Sequence, residues 1–211
     1  MIVPLGEKHI NEVASIYASE LPSSLLVLLG RDFLGKFYYK HVAKHPQSVS
    51  FVYLVHGKVA GFVVGVREAN SFFNRLVKAY FGELVLVLFI AVCKNPWLLG
   101  SIIKAVGFML SKPKGYETET DDAEIITLAV RPEFRTLGFF KDHGVKVANE
   151  LISVVLNEFR KTGVRRVKAF IEKPNFLAQF FYKNFGFRYV CPLRIYDMES
   201  GLYLLELAGA K

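Results

Sequence analysis

The sequence predicts a mixed α/β fold of interleaved strands and helices, and three stretches carry that prediction. Residues 124 to 130, Glu-Ile-Ile-Thr-Leu-Ala-Val, form a run rich in β-branched and apolar side chains, and Pro132 ends it. A proline donates nothing to a ladder and biases Arg131 to extended geometry, so a buried strand that stops is expected there. Residues 48 to 55 and 59 to 67 are strand-like runs separated by His56-Gly57-Lys58, where the glycine suits a hairpin turn. Residues 164 to 172 read as a further strand blocked by Pro174, followed by a helix over 175 to 185 that Gly186 closes.

The other elements follow from periodicity. Ile2 to Leu5 reads as a first strand, and a helix begins at about Glu7 with Ile10, Val13, Ile16 and Tyr17 on one face. Pro22-Ser23-Ser24 opens a second helical stretch. Beyond Gly30 the pairs Phe33/Leu34, Phe37/Tyr38 and His41/Val42 recur every four residues, which predicts a helix ending near Pro46 with one face buried. His41 and His45 have the spacing of a metal pair, but no glutamate follows His41 and histidines near a helix C-terminus are favourable for dipole reasons alone, so no metal site is expected. Gly61 and Gly65 in the strand after the hairpin either admit another backbone or mark bends.

Between 70 and 113 the chain turns strongly apolar. Phe72, Phe73, Leu76, Val77, Tyr80 and Phe81 fall at helical spacing, Leu84 to Cys93 is an uninterrupted apolar run that Lys94-Asn95-Pro96 breaks, and Trp97 to Leu110 is again largely apolar. The run is about half of the ~20 residues that a bilayer span needs. Helices covering the sheet, or forming a homodimer surface, are the first reading; peripheral contact of 72–110 with anionic lipid through Arg75, Lys78, Lys94 and Lys104 is the second. Lys112 to Asp122 is polar and acidic and reads as a mobile loop. After Pro132 a turn leads to one long helix, with Phe139, Phe140, Val145, Val147, Ala148, Leu151, Ile152, Val155 and Leu156 near one stripe and Lys161-Thr162-Gly163 at its end. Residues 187–197 and 201–208 complete the sheet as a pair around Met198-Glu199-Ser200-Gly201.

Composition bounds the rest. A length of 211 residues with 52% apolar side chains suffices for one domain with a substantial core, spanning 1–211 and carrying a helical insertion at about 70–113. Cys93 and Cys191 have no metal-type spacing and read as free thiols, and residues 1 to 20 lack a basic start followed by an apolar core, so a cytoplasmic protein is expected. The net charge of +8 favours polyanionic partners such as CoA, a sugar nucleotide, nucleic acid or anionic membrane. No nucleic-acid module is visible, since the densest basic cluster, Arg165-Arg166-Val167-Lys168, lies in a predicted strand.

A strand feeding a helix through a tight turn leaves backbone N–H groups of Arg135 to Phe140 without intrahelical partners, where a phosphate or pyrophosphate can sit; Arg135 and Lys141 add cationic charge. Val130-X-Pro132-X-X-Arg135-X-X-Gly138 resembles the acetyl-CoA signature of the GNAT family of N-acyltransferases, Gln/Arg-X-X-Gly-X-Gly/Ala after the fourth strand. A second match lies downstream: Asn175-Phe-Leu-Ala178-Gln-Phe-Phe181-Tyr182-Lys-Asn-Phe-Gly186-Phe187 resembles the family's Asn-X-X-Ala-X-X-Phe-Tyr-X-X-X-Gly-Phe. The opening Gly57-Lys58-Val59-Ala60-Gly61-Phe62 is similar to the family's third strand. The last Gly/Ala of the signature is Phe140 here, and Thr136 stands where a small residue is usual. Backbone amides do the binding, so a phenyl group directed away from the turn is tolerated and one directed inward crowds the pyrophosphate.

The resemblance implies a mostly antiparallel twisted sheet of about seven strands with flanking helices and an insertion between strands three and four. The sheet splays between strands four and five, where the acetyl-pantetheine arm inserts. It implies acetyl transfer from acetyl-CoA, as cosubstrate and without a metal, to a primary amine of a small molecule such as an amino sugar. Cofactor contacts would come from Leu128, Val130, Arg135, Thr136, Leu137, Gly138, Phe139, Phe140, Lys141, Asn175 and Tyr182. Tyr182 matches the tyrosine that donates to the departing sulfur, a role suited to a phenol with an ordinary pKa near 10. In such proteins the first helices help form the acceptor groove, which points to Leu21, Ser23, Ser24 and Tyr38. Glu124 and Glu172, at opposite ends of their strands, are the candidate bases, and water-mediated deprotonation needs neither. The alternatives are a non-catalytic acyl-CoA-binding or regulatory module, and a membrane- or partner-docked acyltransferase with a macromolecular acceptor.

Overall fold

The computed structural model describes residues 1–22, 24–100, 102–103, 122–195 and 198–207. Seven strands form one sheet in the order β1-β2-β3-β4-β5-β7-β6: β1 (Ile2–Pro4), β2 (Ser48–Val55), β3 (Lys58–Val66), β4 (Ala123–Val130), β5 (Arg166–Glu172), β6 (Arg188–Ile195) and β7 (Met198–Glu206). Every neighbouring pair is antiparallel except β4 and β5. The β2–β3 hairpin closes more tightly than its sequence suggests. Val55 pairs with Lys58, and both loop residues take positive φ, His56 at 48° and Gly57 at 78°, the twist that two-residue hairpins favour.

Helices cover both faces. On one, α1 (Ile10–Glu20) packs on β3 and β4, α2 (Leu25–Leu28) lies against the helical stretch Phe33–Lys44, and the end of that stretch meets β2; its first seven residues, Phe33–Tyr39, are wound as a π-helix that runs into α3 (Lys40–Lys44). The four-residue apolar recurrence gives no sign of the wider winding. The insertion between β3 and β4 contains α4 (Ala69–Ala79) and α5 (Phe81–Lys94), and α5 lies against the π-helix. Ser23, Lys104 and the expected loop, apart from Asp122, lie outside the described residues.

On the other face, two helices replace the single one expected after Pro132. α6 (Leu137–His143) ends at Gly144, whose φ of 68° and N–H bond to the Phe140 carbonyl make it a left-handed cap, and α7 (Val147–Lys161) starts afresh. The apolar stripe passes through the break, so side-chain periodicity alone does not reveal it. α7 buries Val147, Leu151, Ile152, Val155, Leu156 and Phe159 against β2, β3 and β4, each contributing ~1.5–3 kcal/mol. Gly65 permits that approach: a Cβ there would stand 2.7 Å from Phe159 Cζ and 2.9 Å from Val155 Cγ2. β5 leads to α8 (Phe176–Asn184), capped by the Asn175 side chain accepting from Ala178 N–H at 3.0 Å.

The closing hairpin differs from expectation. Met198 to Gly201 belong to β7, where Met198 pairs with Ile195 and Gly201 with Pro192, so the reversal comes before Met198. Gly201 is a packing glycine, since a Cβ would lie 2.9 Å from the Tyr189 ring.

Candidate active site

The site begins with how β4 is paired. Along β3 it pairs through its length; along β5 it pairs only at Ala123, Glu124 and Ile125. Beyond that the two parallel strands diverge, and the β5-facing edge of 126–130 has no strand ladder. The register against β3 also skips between Thr127 and Ile125, a bulge at Ile126 that re-aims the rest of the strand. Arg131 N–H donates to the Ala60 carbonyl and the Ala129 carbonyl lies beside Gly61, so alternation turns the backbone groups of Leu128 and Val130 toward the opening. The expected splay is therefore present, and Leu128 and Val130 border it.

At the closed end, Glu124 pairs with Lys168 across β4 and β5. The carboxylate stands 3.9 Å from the ammonium, which donates to Asn70 Oδ1 at 2.9 Å and lies 5.9 Å from the centre of the Phe170 ring. Burial raises the Glu124 pKa to about 7, with the Lys168 charge opposing the rise. Tyr182, on α8, is 7% exposed, and burial followed by the Glu124 charge pushes its phenol well above its ordinary value. The ring meets Phe181 and Phe187 edge-on at 5.5 and 5.0 Å, so its position is fixed by packing.

On the side of α1 and the π-helix, where the acceptor groove is expected, lies a chain of tyrosines. Tyr38, from the π-helix, is buried, and its phenol is raised by burial and then by Tyr17 and Glu124. Tyr17, on α1, shares a 2.6 Å hydrogen bond with the Ser24 hydroxyl, and its phenol is raised first by burial and also by the Glu172 charge. Glu124 is thus felt by both Tyr182 and Tyr38, and Tyr38 is linked through Tyr17 to Ser24 and Glu172, residues widely separated in sequence. Tyr17 and Lys168 belong with them; in the sequence Tyr17 registers as a core position and Lys168 as part of a basic strand.

The expected anion turn is arranged differently. Thr136 caps α6, its hydroxyl accepting from Phe139 N–H at 3.1 Å, and Arg135 and Phe140 N–H donate to the Pro132 and Thr136 carbonyls, so three of the amides expected to be open are occupied. Arg135 is turned to α1, where its guanidinium donates to Glu20 at 2.6 Å. That pairing with a carboxylate from a distant helix neutralises the cation expected at the turn. Phe139 packs inward on Phe134 and stacks on His143 at 4.3 Å, while Phe140 is 39% exposed with the Lys146 ammonium 5.2 Å over its ring. Leu137, Gly138 and Lys141 are exposed. The sequence pattern does not predict the second helix start, at α7: its N-cap, Lys146, makes no side-chain cap, which leaves the first amides of a fifteen-residue helix open beside a lysine. Gly144 is the sequence signal for it.

His41 contacts Glu83 at 2.9 Å and stacks on Tyr80 at 3.6 Å, whereas His45 Nδ1 accepts from Gln47 N–H at 3.2 Å. The two histidines take separate partners.

Residues 10–187 match the sequence profile of the acetyltransferase (GNAT) family. No curated protein sequence matches the chain. Among solved structures, an acetyltransferase superposes with a TM-score of 0.62 at 16% identity, over 99% of this chain and 100% of that one. An N-acetyltransferase from Staphylococcus aureus Mu50 gives 0.58 at 16% identity over 97% and 100%. NAA60 from Arabidopsis thaliana, in complex with acetyl-CoA, gives 0.58 at 16% identity over 98% of each chain. At such identities the likeness is one of fold.

Proposed function

The chain belongs to the GNAT acetyltransferase family and is an acetyl-CoA-dependent N-acetyltransferase, and from that premise we propose that it acetylates a primary amine of a small molecule by direct transfer within the β4–β5 opening. The observation that carries this reading is the open β5-facing edge of β4, which begins just past the three paired residues Ala123, Glu124 and Ile125, with the buried Tyr182 phenol in the field of the Glu124 carboxylate.

The pantetheine arm adds to the β5-facing edge of β4, pairing with the backbone of Leu128 and Val130. An N–H of that edge donates to the thioester oxygen as it gains negative charge. The acceptor reacts as the neutral amine, and Glu124, as carboxylate, takes the one proton that its nitrogen loses, directly or through a water. The amine nitrogen bonds to the carbonyl carbon, the C–S bond breaks, and the Tyr182 hydroxyl gives its proton to the departing thiolate, which leaves an amide, CoA and a phenolate to be reprotonated. The pyrophosphate meets the amides at the starts of α6 and α7, near Lys141 and Lys146; the partly exposed Phe140 ring, lying under Lys146, is compatible with that course. Asn175 contributes by capping α8, which carries Tyr182. On the acceptor side, two carboxylates and the hydroxyls of Tyr17, Tyr38 and Ser24 suit a cationic, hydroxyl-bearing amine, which supports an amino sugar.

A second reading, an acyl-CoA-binding module without turnover, draws on Arg135 being held by Glu20. Thermal unfolding with acetyl-CoA, desulfo-CoA and ATP, followed by an amine screen reading thiol release, separates the two. A ligand at 100 times its dissociation constant stabilises by about 2.7 kcal/mol, a shift of a few degrees. A CoA-specific shift with thiol release for an amino sugar is expected. A shift without release for any amine supports the binding module, and no shift contradicts both.

A further inference from the structure

α5 departs from the pattern of a surface helix, because it is apolar on both sides. Leu84, Val87 and Leu88 pack inward on the core around the π-helix. The opposite side presents Phe81, Val85, Leu86, Phe89 and Ile90 to solvent, Phe89 at 65% exposure, and Trp97 beyond the helix end is 91% exposed. Fourteen residues extend this face over about 21 Å. With the inner side already seated on the protein, the outer side requires a separate occupant.

Geometry and charge bear on which occupant. Among the described residues no single helix is long and apolar enough to cross a membrane; α4 and α5 meet the composition only as a pair and are bent by 78°. The arrangement suits a helix lying on a bilayer. Basic side chains border the face: Asp32 is shared between Lys36 and Lys94, Glu83 between Lys40 and His41, and Arg75 is paired with Glu68. Arg31 and Lys78 are exposed and form no ion pair with a described residue, so the rim stays positive. A second copy docked on this face would bring two positive rims together, whereas anionic headgroups complement the rim.

We propose that the outer face of α5, with Trp97, docks in the headgroup region of an anionic lipid bilayer, α5 lying in the membrane plane. The proposal is independent of the chemistry assigned to the β4–β5 opening.

Trp97 is the one tryptophan in the sequence, so its fluorescence reports on this face alone. The full chain is mixed with phosphatidylcholine vesicles, with or without phosphatidylglycerol, and followed by co-sedimentation, Trp97 emission and quenching by lipid brominated on its acyl chains. Sedimentation with the anionic vesicles at low salt, a blue shift and quenching are expected. The Leu86→Glu/Phe89→Glu variant, whose changes fall on exposed positions, should lose all three while keeping its unfolding transition. Arg31→Glu/Lys78→Glu should weaken binding roughly tenfold or more. No sedimentation, equal binding to neutral vesicles, or binding that survives Leu86→Glu/Phe89→Glu overturns the proposal. So does a lipid-free dimer in which Trp97 emission is already blue-shifted, which would make the second copy the occupant.

Discussion

The β4–β5 opening and the outer face of α5 invert the usual distribution of side chains in opposite ways. In the opening, Glu124 and Lys168 are taken out of water on adjacent strands, although a pair of apolar residues of similar volume would be as stable or more so. On α5, Phe81, Leu86 and Phe89 are left in water, although polar residues there would cost the fold nothing. Each arrangement is retained against stability, and the difference lies in what it serves. A buried carboxylate acquires a pKa suited to moving a proton near neutrality, whereas an exposed apolar face acquires a partner.

If that contrast is right, substitutions in the opening change turnover and substitutions on α5 leave turnover with a soluble amine unchanged. The largest effect is expected from Tyr182→Phe, which should lower kcat by about 10²–10⁴ with little change in acetyl-CoA affinity measured by calorimetry; an unchanged rate removes Tyr182 as the acid. Glu124→Gln should lower kcat/KM by about 10² or more. It should also abolish the rise in rate expected of the wild type as pH passes through about 7, where the carboxyl becomes a carboxylate. A profile that keeps its inflection in this variant assigns the base elsewhere, with Glu172 next to be tested.

A subtler test lies in the neighbour. The Lys168 charge holds the Glu124 pKa down against burial, so Lys168→Met should move the inflection to higher pH, with the folded enzyme verified by its unfolding transition. An unmoved inflection separates the pair from catalysis. The smallest effects concern the phosphate side. Arg135 already pairs with Glu20, so Arg135→Ala should change acetyl-CoA affinity less than Lys146→Ala does, the latter by about 0.3–1 kcal/mol. The reverse order would mean that Arg135 leaves Glu20 for the cofactor.

How far the sequence reveals these features depends on how local their causes are. The stop of β4 at Pro132 and the existence of the β2–β3 turn, though not its two-residue length, depend on a few adjacent residues and are legible, whereas the capping role of Asn175 is not read from them. The splay is foreseen only through the family motifs, because nothing in Ala123–Val130 shows where pairing with β5 ends. The break at Gly144 escapes because the stripe from Phe139 to Leu156 runs through it, and the glycine that signals it is outweighed until its positive φ is seen. Arg135 and Glu20, or Lys168 and Asn70, are far apart in the chain and become neighbours only when β4 and β5 are laid beside α1 and α4. The outer face of α5 is visible in the sequence as an apolar run, but which half of it is covered depends on packing against the π-helix.

The central claim, that acetyl-CoA lies along the open edge of β4, is tested most directly by amide hydrogen exchange with and without acetyl-CoA. Slower exchange confined to residues 126–130 and to the helix starts between 136 and 149 is the result expected. Protection that spares 126–130 while acetyl-CoA is bound would contradict it.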